Sequence, residues 1–360
     1  MGFTLDHLRR DALAKFDTVI DVRSPAEFAE DHVPGAINLP VMSNEERAKI
    51  GTIYVQQSPF LARKLGAAIV ARNAARHIET ELADKEGGWQ PLVYCWRGGQ
   101  RSGSFASILS QIGWRTDVLE GGYRAYRTQV VRMLYADALP YRFVLLDGNT
   151  GSGKTAILHS LNEQGAQMLD LEGLANHRGS LLGAMRDEQP SQKMFETRLA
   201  QALLELNPSK PIVAEAESSK IGERLIPASV WKAMRAAPRI DIAASLQARA
   251  QFLTRDYADV LEDPAHMAER LDKLRALCSH ARVEQWLAYL GEGKHEKLAA
   301  ELMEHHYDRG YERSREGRDN TVLATLKTDG LEPRHIEGLA RQVSDLLDQI
   351  LGNIDLELDA

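Results

Sequence analysis

Cysteine is nearly absent from this chain. The only two, Cys95 and Cys278, lie far apart in sequence, and such a pair is a poor basis for a disulfide framework. A small stapled secreted domain is therefore excluded. No apolar run approaches the ~18 residues that a membrane helix needs, so no membrane partner is expected. The first residues, Met1-Gly2-Phe3-Thr4-Leu5-Asp6, carry neither a basic start nor an apolar core, so no signal peptide is expected. A reducing cytoplasm is the expected location. Internal repeats and low-complexity segments are also missing.

Net basic charge is lacking too. The 360 residues carry a formal charge of −7. The distribution matters more than the sum. Residues 1–140 hold 17 basic and 16 acidic groups, residues 141–318 hold 24 and 26, and residues 319–360 hold 3 and 9. The acidity belongs mostly to the last segment. The remainder is near neutral and can present a local basic face to a polyanion.

What is present is ordinary for a globular protein of two domains: 44% hydrophobic and 26% charged residues. The stretch that organises it is Phe143-Val144-Leu145-Leu146-Asp147 followed by Gly148-Asn149-Thr150-Gly151-Ser152-Gly153-Lys154-Thr155. An apolar strand runs into a glycine-rich turn and then into a helical pattern. This is the phosphate loop, or P-loop, in the context that gives the motif its meaning. Glycines let backbone N–H groups close around an anion. The following helix points its positive end at the same place. Lys154 adds a full charge and Thr155 a hydroxyl suited to Mg2+. Gly148, Gly151, Ser152, Gly153, Lys154 and Thr155 are the expected phosphate-binding residues.

A second site precedes it. The apolar strand Pro91-Leu92-Val93-Tyr94 ends at Cys95, and Trp96-Arg97-Gly98-Gly99-Gln100-Arg101-Ser102 leads to a helix expected from Gly103 to Ile112. A thiol at a strand end, against a helix N-terminus, is placed to become a thiolate. Alone, such a cysteine also fits a buried structural thiol. The paired glycines with Arg97 and Arg101 favour a reactive Cys95, with the arginines available to an oxyanion. Cys278 sits among Leu271, Leu274 and Leu277 and reads as core.

Strands at 18–23, 91–94 and 116–120 alternate with helices at 5–17, 24–28, 44–50, 58–85 and 123–135. This pattern predicts a parallel α/β domain over 1–137. The second domain, 138–360, follows the phosphate loop with strands at 166–171, 211–220 and 239–244. A helix is expected at 191–206, a mostly helical extension over 245–304, a late strand at 321–326 and a terminal helix over 333–350. Strand ends are where α/β folds bind ligands. Asn176, His177 and Arg178 follow one of them. Glu215 and Glu217 follow another, on one side of the strand, as a metal or water partner would; a solvated strand end fits them as well. Arg124, Arg127, Tyr307 and Arg309 are candidate substrate contacts; at 305–315 aromatics interleaved with arginines suit phosphates and bases, and a solvated helix end fits that stretch equally well. His305 and His306 are adjacent on a helix and point apart, a poor metal pair.

The first domain resembles the rhodanese superfamily in Val19-Ile20-Asp21-Val22-Arg23, Glu27-Phe28, His32-Val33-Pro34-Gly35-Ala36-Ile37-Asn38 and the Cys95 loop. Five residues separate Cys95 from Arg101, one more than most rhodaneses have. The longer loop makes a wider anion cradle and argues against a plain thiosulfate sulfurtransferase. Over essentially its whole length the chain resembles the tRNA 2-selenouridine synthase family. The matching parts are Cys95 to Ser102, Gly121-Gly122-Tyr123-Arg124-Ala125-Tyr126-Arg127, Gly148 to Thr155, and Asn176-His177-Arg178-Gly179-Ser180. The resemblance implies a rhodanese-like domain fused to a P-loop α/β domain. It implies a tRNA partner whose wobble 2-thiouridine exchanges sulfur for selenium. It further implies selenophosphate and geranyl diphosphate as co-substrates, and an enzyme that makes selenophosphate as a partner. Two other readings fit parts of the pattern. One is a sulfurtransferase fused to an ATP-dependent small-molecule kinase. The other is a non-enzymatic rhodanese-type binding module.

Overall fold

Parallel strands floor both halves of the chain. The computed structural model describes residues 2–5, 7–97, 99–136, 138–180, 183, 185, 187–308, 310 and 321–358. Contacts divide them into two units, Met1–Ala138 with Pro190–Glu205, and Leu139–Gln189 with Leu206–Ala360. No described helix is long and apolar enough to cross a membrane.

The first unit contains β1 (Gly2–Phe3), β2 (Thr18–Asp21), α1 (Pro25–Glu30), β3 (Ile37–Asn38), α2 (Asn44–Gln56), α3 (Pro59–Glu79), β4 (Pro91–Tyr94), α4 (Gln100–Ile112), β5 (Asp117–Leu119) and α5 (Gly122–Val131). Its sheet has the order β1-β5-β4-β2-β3, parallel throughout. β4 is central and all four of its residues are buried, as expected of a strand covered on both faces. Val93 lies opposite Ile20 on one side and Val118 on the other. Those residues join Val70 and Ala74 of α3 and Phe105 and Leu109 of α4 in one core.

Three expectations change here. The helix foreseen over 5–17 is only a short turn, Arg10–Leu13, and an edge strand, β1, precedes it. The carbonyls of Leu5 and Leu8 accept from the side chains of Gln129 and Gln201, and long-range bonds replace helical ones. The helix after the cysteine loop starts at Gln100, not Gly103, so Arg101 and Ser102 fall in its first turn. A later helix, α8 (Gln192–Glu205), belongs by its contacts to this unit, although the sequence reading placed it with the other. Its buried polar residues explain why. Thr197 Oγ1 donates to Asp31 at 3.1 Å, Gln201 reaches the Leu8 carbonyl, and Glu196 pairs with Arg127 and accepts from the Tyr135 hydroxyl at 2.7 Å.

The second unit contains β6 (Phe143–Asp147), α6 (Lys154–Glu163), β7 (Gln167–Leu169), α7 (Leu171–Ala175) and β8 (Ile212–Glu215). After a small hairpin come α9 (Ala228–Ala236), β11 (Arg239–Ala244), α10 (Leu246–Asp256), α11 (Ala258–Leu261), α12 (Pro264–Lys273), α13 (His280–Gly291), α14 (His295–Leu302), β12 (Val322–Thr328) and α15 (Pro333–Leu358). The hairpin strands, Lys220–Ile221 and Arg224–Leu225, are β9 and β10. The main sheet runs β12-β11-β6-β8-β7, all parallel. Ile336, Leu339, Ala340, Val343 and Leu347 form one helical stripe of α15. The stripe shares a core with Ile157, Leu158 and Leu161 of α6. The acidic C-terminal segment is thus a built part of the sheet and its cover. Truncating Leu339 to Ala should cost ~2–5 kcal/mol. The helices from α12 to α14 have a separate core around the fully buried Trp286.

Candidate active sites

Cys95 follows the last residue of β4 and is 4% exposed. Ser102, in the first turn of α4, donates its hydroxyl to the sulfur at 3.2 Å. Burial pushes the thiol pKa up. The Ser102 hydroxyl and N–H, the Arg101 charge and the Gly99 N–H outweigh it, and the thiol sits below its ordinary value. The loop is tied to α5 by backbone bonds, Tyr123 N–H to the Cys95 carbonyl at 2.9 Å and Arg124 N–H to the Trp96 carbonyl at 3.0 Å. Tyr123 lies beneath Arg23, whose guanidinium carbon is 3.9 Å from the ring centroid. Arg23 pairs with Asp21 at 2.6 Å, both fully buried, so the Asp-Val-Arg segment is a strut for this loop.

The two arginines expected to hold an oxyanion differ. Arg97 is exposed on the loop. Arg101 is already engaged, donating to Glu27 at 2.8 Å. Burial pushes the Glu27 carboxyl up, but Arg101, the Ser24 N–H and Arg47 win, and its pKa falls to about 2. Glu27 is therefore a charged anchor that keeps Arg101 beside the thiol, a role sequence reading missed. Of the two arginines on α5, Arg124 is exposed. Arg127 is turned inward, donating to the Lys193 carbonyl at 3.1 Å and pairing with Glu196. Its assignment as a substrate contact is corrected: two carboxylates, Glu196 and Asp31, already neutralise it. A cavity of about 480 Å³ opens beside α4, with Arg47, Arg63 and Arg101 over a wall that includes Met42, Ile50 and Val70.

The phosphate loop has the geometry its glycines imply. Gly151 and Gly153 adopt φ of 78° and 75°, the left-handed region. A Cβ on Gly148 would lie 2.8 Å from the Ile242 carbonyl oxygen, so the β6–β11 contact itself requires glycine there. Lys154 is 8% exposed and donates to the Gly148 carbonyl at 3.1 Å, curled over the loop. The neighbouring cavity, about 250 Å³, is lined by Ser152 to Thr155, His177, Arg178 and five carboxylates, Asp170, Glu172, Glu215, Glu217 and Asp256.

Three of them, Glu172, Glu215 and Glu217, offer oxygens within 4.8 Å of one another. Sheet order explains the convergence. β6, β8 and β7 are neighbours, and their C-terminal ends deliver the phosphate loop, Glu215 with Glu217, and α7 with Glu172. Thr155 Oγ1 donates to Glu172 at 3.4 Å. Burial, and then mutual repulsion, raises the Glu172 pKa; burial also raises that of Glu215, against the pull of Lys154. Glu172 was not among the residues expected here. It opens the polar segment after β7 that was expected to bind a ligand, although only Asn176, His177 and Arg178 were singled out there.

The segment after α7 is divided in its roles. Asn176 closes the helix at φ 50° and donates to the carbonyls of Asp187 and Glu188, which shapes the turn. His177 is buried against the cavity, its Nδ1 without a hydrogen-bond partner, and burial with the Arg270 charge lowers its pKa. Arg178 stacks on Tyr257 at 4.8 Å. Tyr307 lies in an apolar cavity wall beyond Tyr257. Arg309 lies outside the described residues.

Residues 141–290 match the tRNA 2-selenouridine synthase AAA domain, and residues 5–129 match the rhodanese-like domain. The tRNA 2-selenouridine synthase of Alcanivorax borkumensis is 34% identical over 295 residues, 79% of this chain and 80% of that one. Proteins of the same name from Nitrosomonas europaea and Shewanella denitrificans are 35% and 38% identical over 257 and 244 residues. Those alignments cover 70% and 67% of this chain and 66% and 65% of the relatives, just under two thirds of their length.

Proposed function

The chain belongs to the tRNA 2-selenouridine synthase family, and from that membership we propose that it replaces sulfur by selenium at the wobble 2-thiouridine of tRNA in two steps, one for each loop. In the first, geranyl diphosphate sits with its diphosphate in the Lys154 loop. The thiouridine sulfur attacks C1 of the geranyl group, the C–O bond breaks, and diphosphate leaves with the electron pair while N3 of the base loses a proton. In the second, the selenium of selenophosphate attacks C2 of the alkylated base. Geranylthiol leaves, and water cleaves the Se–P bond to release phosphate. Cys95 serves this second step only.

The observation that supports this division is the state of the two loops. One offers a thiol held below its ordinary pKa, with exposed Arg97 beside it. The other offers a lysine and N–H cradle over a polar cavity. Lys154 can neutralise the charge that develops on a departing diphosphate, an effect specific to the transition state. Hard oxygen donors suit Mg2+. The buried Glu215 Oε1, which has no hydrogen-bond partner, fits such an ion, with Thr155, Glu172 and Glu217 completing the set. The ion would supply charge neutralisation at the phosphates.

The test is a reconstitution of the full chain with thiolated tRNA, geranyl diphosphate and selenophosphate, followed by mass spectrometry of the wobble nucleoside. S-geranyl thiouridine followed by selenouridine is expected. Selenation that needs ATP and ignores geranyl diphosphate would replace this reading with a kinase-type one.

A further inference from the structure

The hairpin of α2 and α3 is charged unlike the rest of this acidic chain. Residues 47–78 hold six basic groups and no acidic one. With 51 acidic groups in 360 residues, a stretch of that length would carry about four or five. Arg47, Lys49, Arg63, Lys64, Arg72 and Arg76 are all exposed. Glu27 pairs with Arg47 at 3.2 Å, and among the described residues no carboxylate pairs with the other five. The tip of the hairpin is apolar as well. The helices meet at Gln57-Ser58, and Tyr54, Val55, Phe60, Leu61 and Leu65 about that turn are exposed, Val55 at 82% and Phe60 at 69%. A cluster of large apolar side chains left in water marks an interaction surface.

The cavity of about 480 Å³ lies along this hairpin, and Tyr54, Arg47, Arg63, Gln100 and Arg101 are part of its lining. Gln100 and Arg101 open α4, whose first turn also supplies the Ser102 hydroxyl to the Cys95 sulfur. Exposed rings among unpaired cations suit a polyanion whose own rings are uncovered. Single-stranded nucleic acid is such a ligand, because its phosphates meet Lys and Arg while its base faces are free to stack. A double helix hides those faces. A bilayer presents a flat sheet of charge, whereas Arg47, Arg63 and Arg101 border a concavity. We propose that the α2–α3 hairpin is the landing surface for the single-stranded anticodon loop of tRNA, with Tyr54 and Phe60 as stacking platforms and Arg63 and Lys64 as phosphate contacts. A loop held there lies along the cavity that reaches α4, next to the thiol that acts on its wobble base.

This inference rests on the tRNA-substrate reading, and fluorescence anisotropy on the full chain separates the two. The probes are a labelled tRNA anticodon stem-loop and an RNA duplex of the same length without a loop. The stem-loop should bind at least tenfold more tightly than the duplex. Tyr54→Ala and Phe60→Ala should each weaken the stem-loop about fivefold or more, the scale of one lost base stack, and leave the duplex unchanged. Arg63→Ala and Lys64→Ala should each lower the salt slope by about one. These side chains lie in water, so the melting temperature should hold in all four variants. A stem-loop bound by all four as by the parent chain would overturn the landing surface and leave the tRNA reading intact. Binding to phosphatidylserine vesicles that Phe60→Ala abolishes, with stem-loop affinity unchanged, would assign the surface to a membrane instead. If the parent chain binds neither the stem-loop nor whole tRNA, the substrate reading fails and the landing surface falls with it.

Discussion

The two loops are built alike and charged differently. Each follows the end of a central parallel strand, β4 or β6, and each opens a helix, α4 or α6. Both exploit the N–H groups that a helix start leaves over. At Cys95 the carboxylate that anchors Arg101, Glu27, is held ionised by arginines, and the sulfur is the group on which negative charge can grow. At Lys154 three carboxylates crowd one cation, and burial pushes two of them toward the neutral form. One loop is prepared to become an anion. The other is prepared to receive one. A shared scaffold therefore says little about chemistry; the side chains entering the strand ends decide it.

The strongest test of that contrast is to remove the thiol. Cys95→Ser should abolish selenium incorporation, a loss of three decades or more, while geranylation continues and S-geranyl thiouridine accumulates. Nucleoside mass spectrometry reads both, and selenation by the variant would erase the division of labour. Next is Lys154→Ala. Losing a charge-assisted contact of ~1.5–3 kcal/mol should slow geranylation roughly ten- to hundredfold. Selenation of tRNA supplied already geranylated should change far less.

The carboxylates give a smaller, pH-dependent effect. Glu172 and Glu215 have folded-state pKa values above the usual glutamate range, so above that range the unfolded chain binds fewer protons than the folded one. Stability of the metal-free protein should then fall as pH rises from the ordinary glutamate range through the raised values. Melting scans across pH should show a decline of a few °C, roughly the scale of 1 kcal/mol in a domain of this size. Glu215→Gln should flatten it, and Mg2+ should both reverse it and release protons on binding. A flat profile would remove the crowded-carboxylate half of the comparison.

The smallest expected effects separate α5's two arginines. Arg124→Ala should weaken tRNA binding evenly across tRNAs and lower the salt slope by about one. Arg127→Ala should instead lower the melting temperature, because it strips the partner from buried Glu196. The reverse pattern would return Arg127 to the binding surface.

Both loops were legible because each is one contiguous stretch whose residue types have a single economical use. The eight residues from Gly148 to Thr155 state their conformation as well as their ligand. What stayed hidden depends on pairing between distant segments. Nothing near Arg127 reveals that Glu196 will meet it, nothing near Glu27 reveals Arg101, and the turn at Arg10–Leu13 reads as helix until Gln129 and Gln201 claim the carbonyls beside it. Glu172 is intermediate. Its strand, β7, has three residues, too short to announce itself as clearly as β8.

The position of α8 has a consequence for how this chain is made. A ribosome releases residues in order, so the first unit emerges with the acceptors Asp31 and Leu8 and the guanidinium of Arg127 in place, but without the partners that α8 supplies. Those partners arrive only with residues 196–201, after β6, α6 and β7 of the second unit have already been synthesised. Nascent chains stalled before that point should expose Tyr126, which lies against Thr197 and Gln201, to chaperones, and those stalled well beyond it should not. Cutting the gene at residue 137 to express the rhodanese-like part alone would freeze the same unfinished intermediate.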